Sequence, residues 1–334
     1  MTDMHKENKH STTEVDSKAV RVLAGARLHF GLLDSAVPFG GVGVMVDQPK
    51  TAITVRAADE FSCPEEHCER FREIASGVSA LLNRKKLPAL RIEVESNPEA
   101  HCGLGSGTQL SLAAAESMLQ WFNHSYDETH LALAVADRGK RSAVGIHGYF
   151  KGGMIFEAPG SDPEELNPIQ ERIDLPVEWC VAILKPSTVL GQVFGLSEAE
   201  KFSTLSAGSE ALRDSLFLLA QNQLLPAAKQ HHFEDFSRYL TQYNRMSGQL
   251  FASIQGGSYN GPEVTSLIHW LIDRGVLGVG QSSWGPGVFA WFKSYSHAET
   301  LVTRLPKGVE VLAITHPLNS PRSLAISPNG HFKV

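Results

Sequence analysis

The chain is poor in cysteine, lacks any long apolar run and carries no excess of positive charge. Cys63, Cys68, Cys102 and Cys180 are its four cysteines in 334 residues. That is too few for a disulfide scaffold, and reduced thiols in a cytoplasmic setting are expected. Cys63-Pro-Glu-Glu-His-Cys68 has loose spacing for a metal site and no second ligand pair follows, so structural thiols are the expectation there. His231-His232 reads as an isolated surface pair. The best apolar run, 216–220, is far shorter than a membrane span, so no membrane partner is expected. A net charge of −6 argues against a broad nucleic-acid surface, yet it leaves room for a local basic pocket. The Walker loop, G-x-G-x-x-G, the zinc-protease helix, Gly-x-Ser-x-Gly and paired Cys-x-x-Cys are all missing. Residues 1–18 are polar and lack the apolar core of a signal peptide, which predicts a disordered tail.

What remains is an ordinary globular composition, 42% hydrophobic and 20% charged, long enough for two domains. Residues 19–24 read as a strand, and 44–46 and 51–55 as a hairpin fed by the turn at 40–43. Pro64 opens a helix whose apolar face is Phe71, Ile74, Val78, Leu81 and Leu82. The alternation over 90–95 predicts a strand, and the small residues after Gly107 predict a helix. Asp127 is a candidate N-cap for a helix through Ala136. Residues 154–156 form a strand, and the polar stretch 160–171 is a linker or an excursion. Further on, 179–184 is a buried strand and 196–253 is mostly helical. A helix over 263–274, strands at 276–280 and 288–292, a helix near His297 and a strand over 309–314 complete a small α+β sandwich. The boundaries read as a tail to 18, one domain over 19–170 and a second over 171–334.

Four separated segments could carry chemistry. In Ala26-Arg27-Leu28-His29-Phe30-Gly31-Leu32-Leu33-Asp34, strand alternation puts Arg27, His29 and Gly31 on one face. A permanent cation and a titratable ring then share a surface, or the face is simply solvated. In Gly103-Leu104-Gly105-Ser106-Gly107-Thr108-Gln109, a glycine-rich turn opens a helix. Its N–H groups and the helix dipole suit phosphate, although a plain strand-to-helix turn reads the same way. Arg138-Gly139-Lys140-Arg141-Ser142-Ala143-Val144-Gly145 gathers three cations suited to phosphates or a carboxylate, or to a helix C-terminus. Gly280-Gln281-Ser282-Ser283-Trp284-Gly285-Pro286 is a second glycine-rich loop with two hydroxyls, or a hairpin turn.

In this order the four segments resemble the GHMP superfamily of small-molecule kinases. More closely they resemble its β-ribofuranosylaminobenzene 5′-phosphate synthase (β-RFAP synthase) branch, over about residues 21–314. Gly107-Thr108-Gln109 is the specific part, because kinases of the superfamily usually carry Ser-Ser-Ala there. Several of those kinases also place a catalytic Asp where this chain has Gly145, although homoserine kinases lack it as well. The resemblance implies an α+β fold with a ribosomal protein S5 domain 2-like N-terminal domain and a ferredoxin-like C-terminal domain. It implies a decarboxylating pentosyltransferase that joins phosphoribosyl pyrophosphate to 4-aminobenzoate. CO2 and pyrophosphate are released, in one-carbon metabolism towards tetrahydromethanopterin.

The partners so implied are those two substrates and, in some relatives, a second copy in a homodimer. Mg2+ is the expected cofactor, with no organic cofactor. Arg27, His29 and Asp34 are the expected catalytic residues, with Asp34 as the candidate for Mg2+. The expected binding residues are Gly103, Leu104, Gly105, Ser106, Gly107, Thr108, Gln109, Lys140, Arg141, Ser142, Ser282 and Ser283. An ATP-dependent kinase for a small alcohol, and a non-catalytic regulator that binds a phosphorylated metabolite, stand as alternatives.

Overall fold

The computed structural model describes residues 18–37, 39–139, 141–160, 162, 165–188, 205 and 207–332. The expected tail over 1–17, Lys140 and the first part of the expected helical stretch, 196–204, lie outside the described residues. Strand β1 (Ala19–Leu32) runs antiparallel to β2 (Gly41–Ala57). The second strand pairs at one end with β3 (Leu90–Ser96) and at the other with β4 (Met154–Glu157). Strand β5 (Ile169–Ile173) extends the sheet beyond β4.

The expected hairpin over 44–46 and 51–55 is instead one long strand. Its pairing with β1 jumps from Ala26↔Val46 to Ala24↔Thr51, so residues 47–50 bulge opposite Gly25. The Asp47 N–H donates to the His316 carbonyl and the Gln48 N–H to the Thr315 hydroxyl, so a distant segment satisfies the bulge. Local sequence reads a proline-containing bulge as a turn.

Two helices cover one face of this sheet, α1 (Cys68–Leu81) and α2 (Ser106–Trp121). Phe71, Ile74, Val78, Leu110, Ala113 and Met118 pack there with Ile53, Val55 and Ile92 in one buried cluster. Asp127 caps the following turn by accepting the His130 N–H at 2.9 Å, as its position predicts. Helix α3 (Val144–Lys151) then leads into β4.

The C-terminal sheet contains β6 (Cys180–Pro186), β7 (Gly278–Gln281), β8 (Val288–Phe292) and β9 (Val309–Thr315) in the order β7-β8-β6-β9. Helices α4 (Glu210–Leu219), α5 (Phe233–Gln249), α6 (Pro262–Ile272) and α7 (Tyr295–Val302) accompany it. The β6, β7–β8, β9 arrangement is that of a ferredoxin-like sandwich. The last strand, β10 (Ser323–Ser327), returns to the first sheet and pairs with β1. Both β5 and β10 therefore belong to the N-terminal sheet, and the division at 170 does not follow the fold. A second buried cluster joins Leu28, Phe30 and Val44 of the first sheet to Val181, Phe236, Leu240 and Trp291 of the second half. The site lies where the halves share this core.

Candidate functional site

Antiparallel pairing leaves the end of β1 with carbonyls that need donors. Helix α5 supplies them. The Asn244 amide donates to the Phe30 carbonyl at 2.7 Å, the Tyr243 hydroxyl to Gly31 at 3.1 Å, and the Ser247 hydroxyl to Leu32 at 2.7 Å. Asn244 also takes the Gln281 N–H and donates to the Gln281 carbonyl, tying the second glycine-rich loop to the same strand.

The two glycine-rich loops meet at β1. The Arg27 N–H donates to the Leu104 carbonyl at 2.9 Å, and its guanidinium donates to the Gly103 carbonyl at 3.3 Å. The Ser282 hydroxyl accepts the His29 N–H at 2.9 Å and donates to the Gly103 carbonyl at 2.6 Å. The Ser283 N–H donates to the His29 carbonyl at 3.2 Å. At Gly103, φ is +80° and a Cβ would collide with the Ser282 carbonyl. The third segment closes the ring. The His29 Nε2 lies 3.0 Å from the Ser142 hydroxyl, and the Gln109 amide donates to the Gly145 carbonyl at 2.9 Å.

These contacts wall a cavity of about 700 Å³. Its lining includes Arg27, His29, Thr108, Arg138, Arg141 and Ser142. It also includes the apolar side chains of Phe30, Leu32, Phe39, Phe251 and Trp284, with the last two rings edge to face at 4.9 Å. The cavity thus offers groups for an anion and for an apolar ring. His29 is buried, and burial together with the adjacent Arg27 holds its imidazole well below the usual range. It offers the cavity a neutral hydrogen-bonding ring. Burial also pulls Arg138 down from its ordinary value, with Arg70 adding to the effect.

Of the expected residues, Arg27, His29, Thr108, Arg141, Ser142 and Ser283 line the cavity. Leu104 is core, and Ser282 is fully buried as the pin between loops. Gly105, at φ +70°, lets the loop approach the Arg27 side chain, and Ser106 is buried at the start of α2. Gln109 is fully buried and clamps Gly145. Gly107 faces two guanidinium groups, with a Cβ there 3.6 Å from Arg70 Nη1 and 4.0 Å from Arg138 Nη2.

Asp34 does not line the cavity. Its Oδ1 accepts the N–H groups of Ser35 at 2.7 Å, Ala36 at 3.3 Å and Gly208 at 2.8 Å, while Oδ2 accepts Arg213 at 3.0 Å. The expected catalytic and metal roles of Asp34 give way to holding the turn after β1. Among the described residues no group of three or more His, Cys, Asp or Glu gathers as a metal cage. Arg70 and Glu157 escaped the sequence reading. Arg70 is one of several charges on α1, and Glu157 ends a strand whose burial only the fold reveals.

The chain matches the family model for the GHMP kinases N terminal domain over residues 71–154, and that for GHMP kinases C terminal over 224–310. It is similar to a protein of Methanothermobacter thermautotrophicus named beta-ribofuranosylphenol 5′-phosphate synthase. The two are 27% identical over 289 residues, which cover 79% of this chain and 86% of the relative. Among solved structures it is similar to homoserine kinase from Cytophaga hutchinsonii, with a TM-score of 0.65 and 15% identity over 95% of this chain and 100% of that one. Mevalonate kinase from Methanococcus jannaschii aligns with a TM-score of 0.66 and 13% identity over 90% and 98%. Those two likenesses concern the fold alone.

Proposed function

We propose that this chain, which belongs to the GHMP kinase superfamily, is a decarboxylating pentosyltransferase that joins phosphoribosyl pyrophosphate to a para-substituted benzoate. The observation that carries the reading is a cavity whose lining combines arginines and hydroxyls with aromatic side chains. A phosphorylated sugar suits the first set and an aryl acid the second. Similarity to a protein named for a ribofuranosylphenol phosphate product supports the reaction class. The resemblance of the four segments favours 4-aminobenzoate as the acceptor, on the route to tetrahydromethanopterin. A 4-hydroxy group meets the same need, since either substituent pushes electrons to the ring carbon that bears the carboxylate.

In the reaction, that ring carbon bonds to the anomeric carbon as the C–O bond to pyrophosphate breaks. The bond to the carboxylate then breaks, CO2 leaves and its electron pair restores the aromatic ring. Arg27, Arg138 and Arg141 offset the charge that grows on the leaving group, with Thr108 and the start of α2 beside them. The aromatic side chains of the lining exclude water and hold the ring against the sugar, so positioning supplies much of the rate. A tight ground-state clamp on the carboxylate would oppose CO2 loss, so cation contacts there are weak. Were Mg2+ to arrive with the pyrophosphate, Asp137 is the lining carboxylate that would help hold it. The ion would then supply neutralisation of leaving-group charge.

A position-specific observation weighs against the kinase reading. A side chain at 145 would lie 3.6 Å from Arg27 Nε and 3.7 Å from Thr108 Cγ2, within the site, and glycine supplies no carboxylate there. The deciding assay incubates the protein with Mg2+, phosphoribosyl pyrophosphate and carboxyl-labelled 4-aminobenzoate or 4-hydroxybenzoate. CO2 release that requires both substrates is the expected result. No release, with ATP consumed in the presence of a small alcohol, would establish the kinase instead. Binding of phosphorylated ligands without either reaction would establish the regulator.

A further inference from the structure

We propose that Arg70 and Arg138 form a paired guanidinium clamp for the diphosphate group of the substrate, which makes Arg70 of α1 a binding residue of the site. The choice of a diphosphate rests on the transferase reading. The clamp itself rests on how the two side chains converge. Both residues are half-buried, and Arg138 lines the cavity. A Cβ at Gly107 would lie 3.6 Å from Nη1 and 3.9 Å from Nη2 of Arg70, and 4.0 Å from Nη2 of Arg138. Two guanidinium ends from distant parts of the chain thus meet around one backbone position.

Like charges brought together in a half-buried place repel, and an acid between them is the usual remedy. None fills that role here. Arg138 donates only to uncharged oxygens, the Ser111 hydroxyl at 3.2 Å and the Asp137 carbonyl at 3.4 Å. Glu66 and Glu73 stand near Arg70 in the sequence, at spacings that bring side chains together on a helix. Glu66 pairs with His67 instead, at 3.5 Å. Burial and then Arg70 pull the Arg138 guanidinium down, and the nearby Asp137 and Glu73 offset this only in part. Among the described residues neither guanidinium is held in an ion pair.

Gly107 gives an independent reason. Its φ lies outside the left-handed region, and a Cβ there would meet no atom closer than 3.6 Å. Neither conformation nor packing calls for glycine, which is a poor helix former. The missing Cβ leaves room for an anion to approach the backbone beneath both side chains. The first turn of α2 carries no acidic residue, and its positive end adds to the same field. Each planar guanidinium can take one phosphoryl group through paired N–H donors, so two of them match a diphosphate. The clamp then grips the leaving group as its charge grows.

Calorimetric titration of the full chain at one fixed Mg2+ concentration tests this without turnover. The ligands are inorganic pyrophosphate, phosphoribosyl pyrophosphate, ADP and ribose 5-phosphate. Arg70→Ala is expected to weaken inorganic pyrophosphate and phosphoribosyl pyrophosphate about tenfold, the loss of one charge-assisted contact, and to leave ribose 5-phosphate within about twofold. Arg70→Lys keeps the charge without the fork and should recover only part of the affinity. Arg70 donates to no other group among the described residues, and alanine suits a helix, so the unfolding midpoint should hold. Unchanged pyrophosphate binding in Arg70→Ala, an equal loss for ribose 5-phosphate, or a wild type that binds none of the diphosphate ligands overturns the clamp. Binding of ADP in place of phosphoribosyl pyrophosphate, with the same loss in Arg70→Ala, would uphold the clamp while replacing the transferase reading with the kinase, so the two fail separately.

Discussion

Arg27 touches both halves of the site's logic. Its backbone holds the first glycine-rich loop, and its side chain both lines the cavity and reaches the Gly103 carbonyl. Arg27→Ala is therefore expected to lower kcat/KM by more than about tenfold, or ~1.4 kcal/mol in the barrier, with the fold retained by circular dichroism. Wild-type kinetics in that variant would remove Arg27 from the mechanism. Asp34, seven residues on, behaves differently. Its carboxylate collects three N–H groups and a guanidinium and does not line the cavity. Asp34→Ala leaves buried donors unsatisfied, so a loss of about 1–3 kcal/mol in denaturant unfolding is expected. Unchanged unfolding with a large fall in kcat would return Asp34 to the chemistry. The placement of Arg27 and His29 was legible because strand period alone puts them on one face. The role of Asp34 was not, since its partners Gly208 and Arg213 come from a segment that no local pattern links to it.

The first loop divides its glycines between two duties. At Gly103 the positive φ and the Ser282 carbonyl both exclude a side chain, so the residue lets two loops pack backbone to backbone. Gly285 answers it from the second loop, where a Cβ would strike the backbone of Cys102 and Gly103. Gly107 has no such neighbour. A Cβ there meets the ends of Arg70 and Arg138 at ordinary distance. Gly103→Ala should lower the unfolding midpoint, with the cost of about 1 kcal/mol or more that a strained φ and an overpacked contact bring. Gly107→Ala should keep the midpoint and raise KM for phosphoribosyl pyrophosphate. Equal losses of stability in both variants would refute this division. The loop's place between strand and helix was readable from composition. The opposing loop was likewise read as a glycine-rich segment, but its backbone contact with the first was not, because the two lie 179 residues apart at Gly103 and Ser282 and meet only in the fold. The bulge over 47–50 shows the same limit: a distant carbonyl and hydroxyl satisfy its N–H groups, so local pattern read a turn.

Across the molecule, the return of β10 to β1 makes the first sheet depend on the end of the described chain. Just before that strand, Arg322 forks onto the buried Glu116 of α2, where Tyr126 and Tyr149 also donate. Glu116 is fully buried, so its charge is sustained by this one guanidinium and two hydroxyls. Removing the cation alone leaves a buried carboxylate without compensation, which typically costs about 3–5 kcal/mol. Arg322→Met should therefore destabilise severely, and because Glu116 lies on the helix that opens at Ser106, the loss extends to substrate binding. Pairing Arg322→Met with Glu116→Gln removes the stranded charge along with its partner and should recover part of the stability. A double variant as unstable as the sum of the two single changes would mean that Arg322 acts through packing over Tyr149 and Phe150, where its guanidinium lies 5.6 and 5.4 Å from the ring centres. Recovery would instead identify the ion pair as the lock by which the start of β10 holds α2 to the sheet.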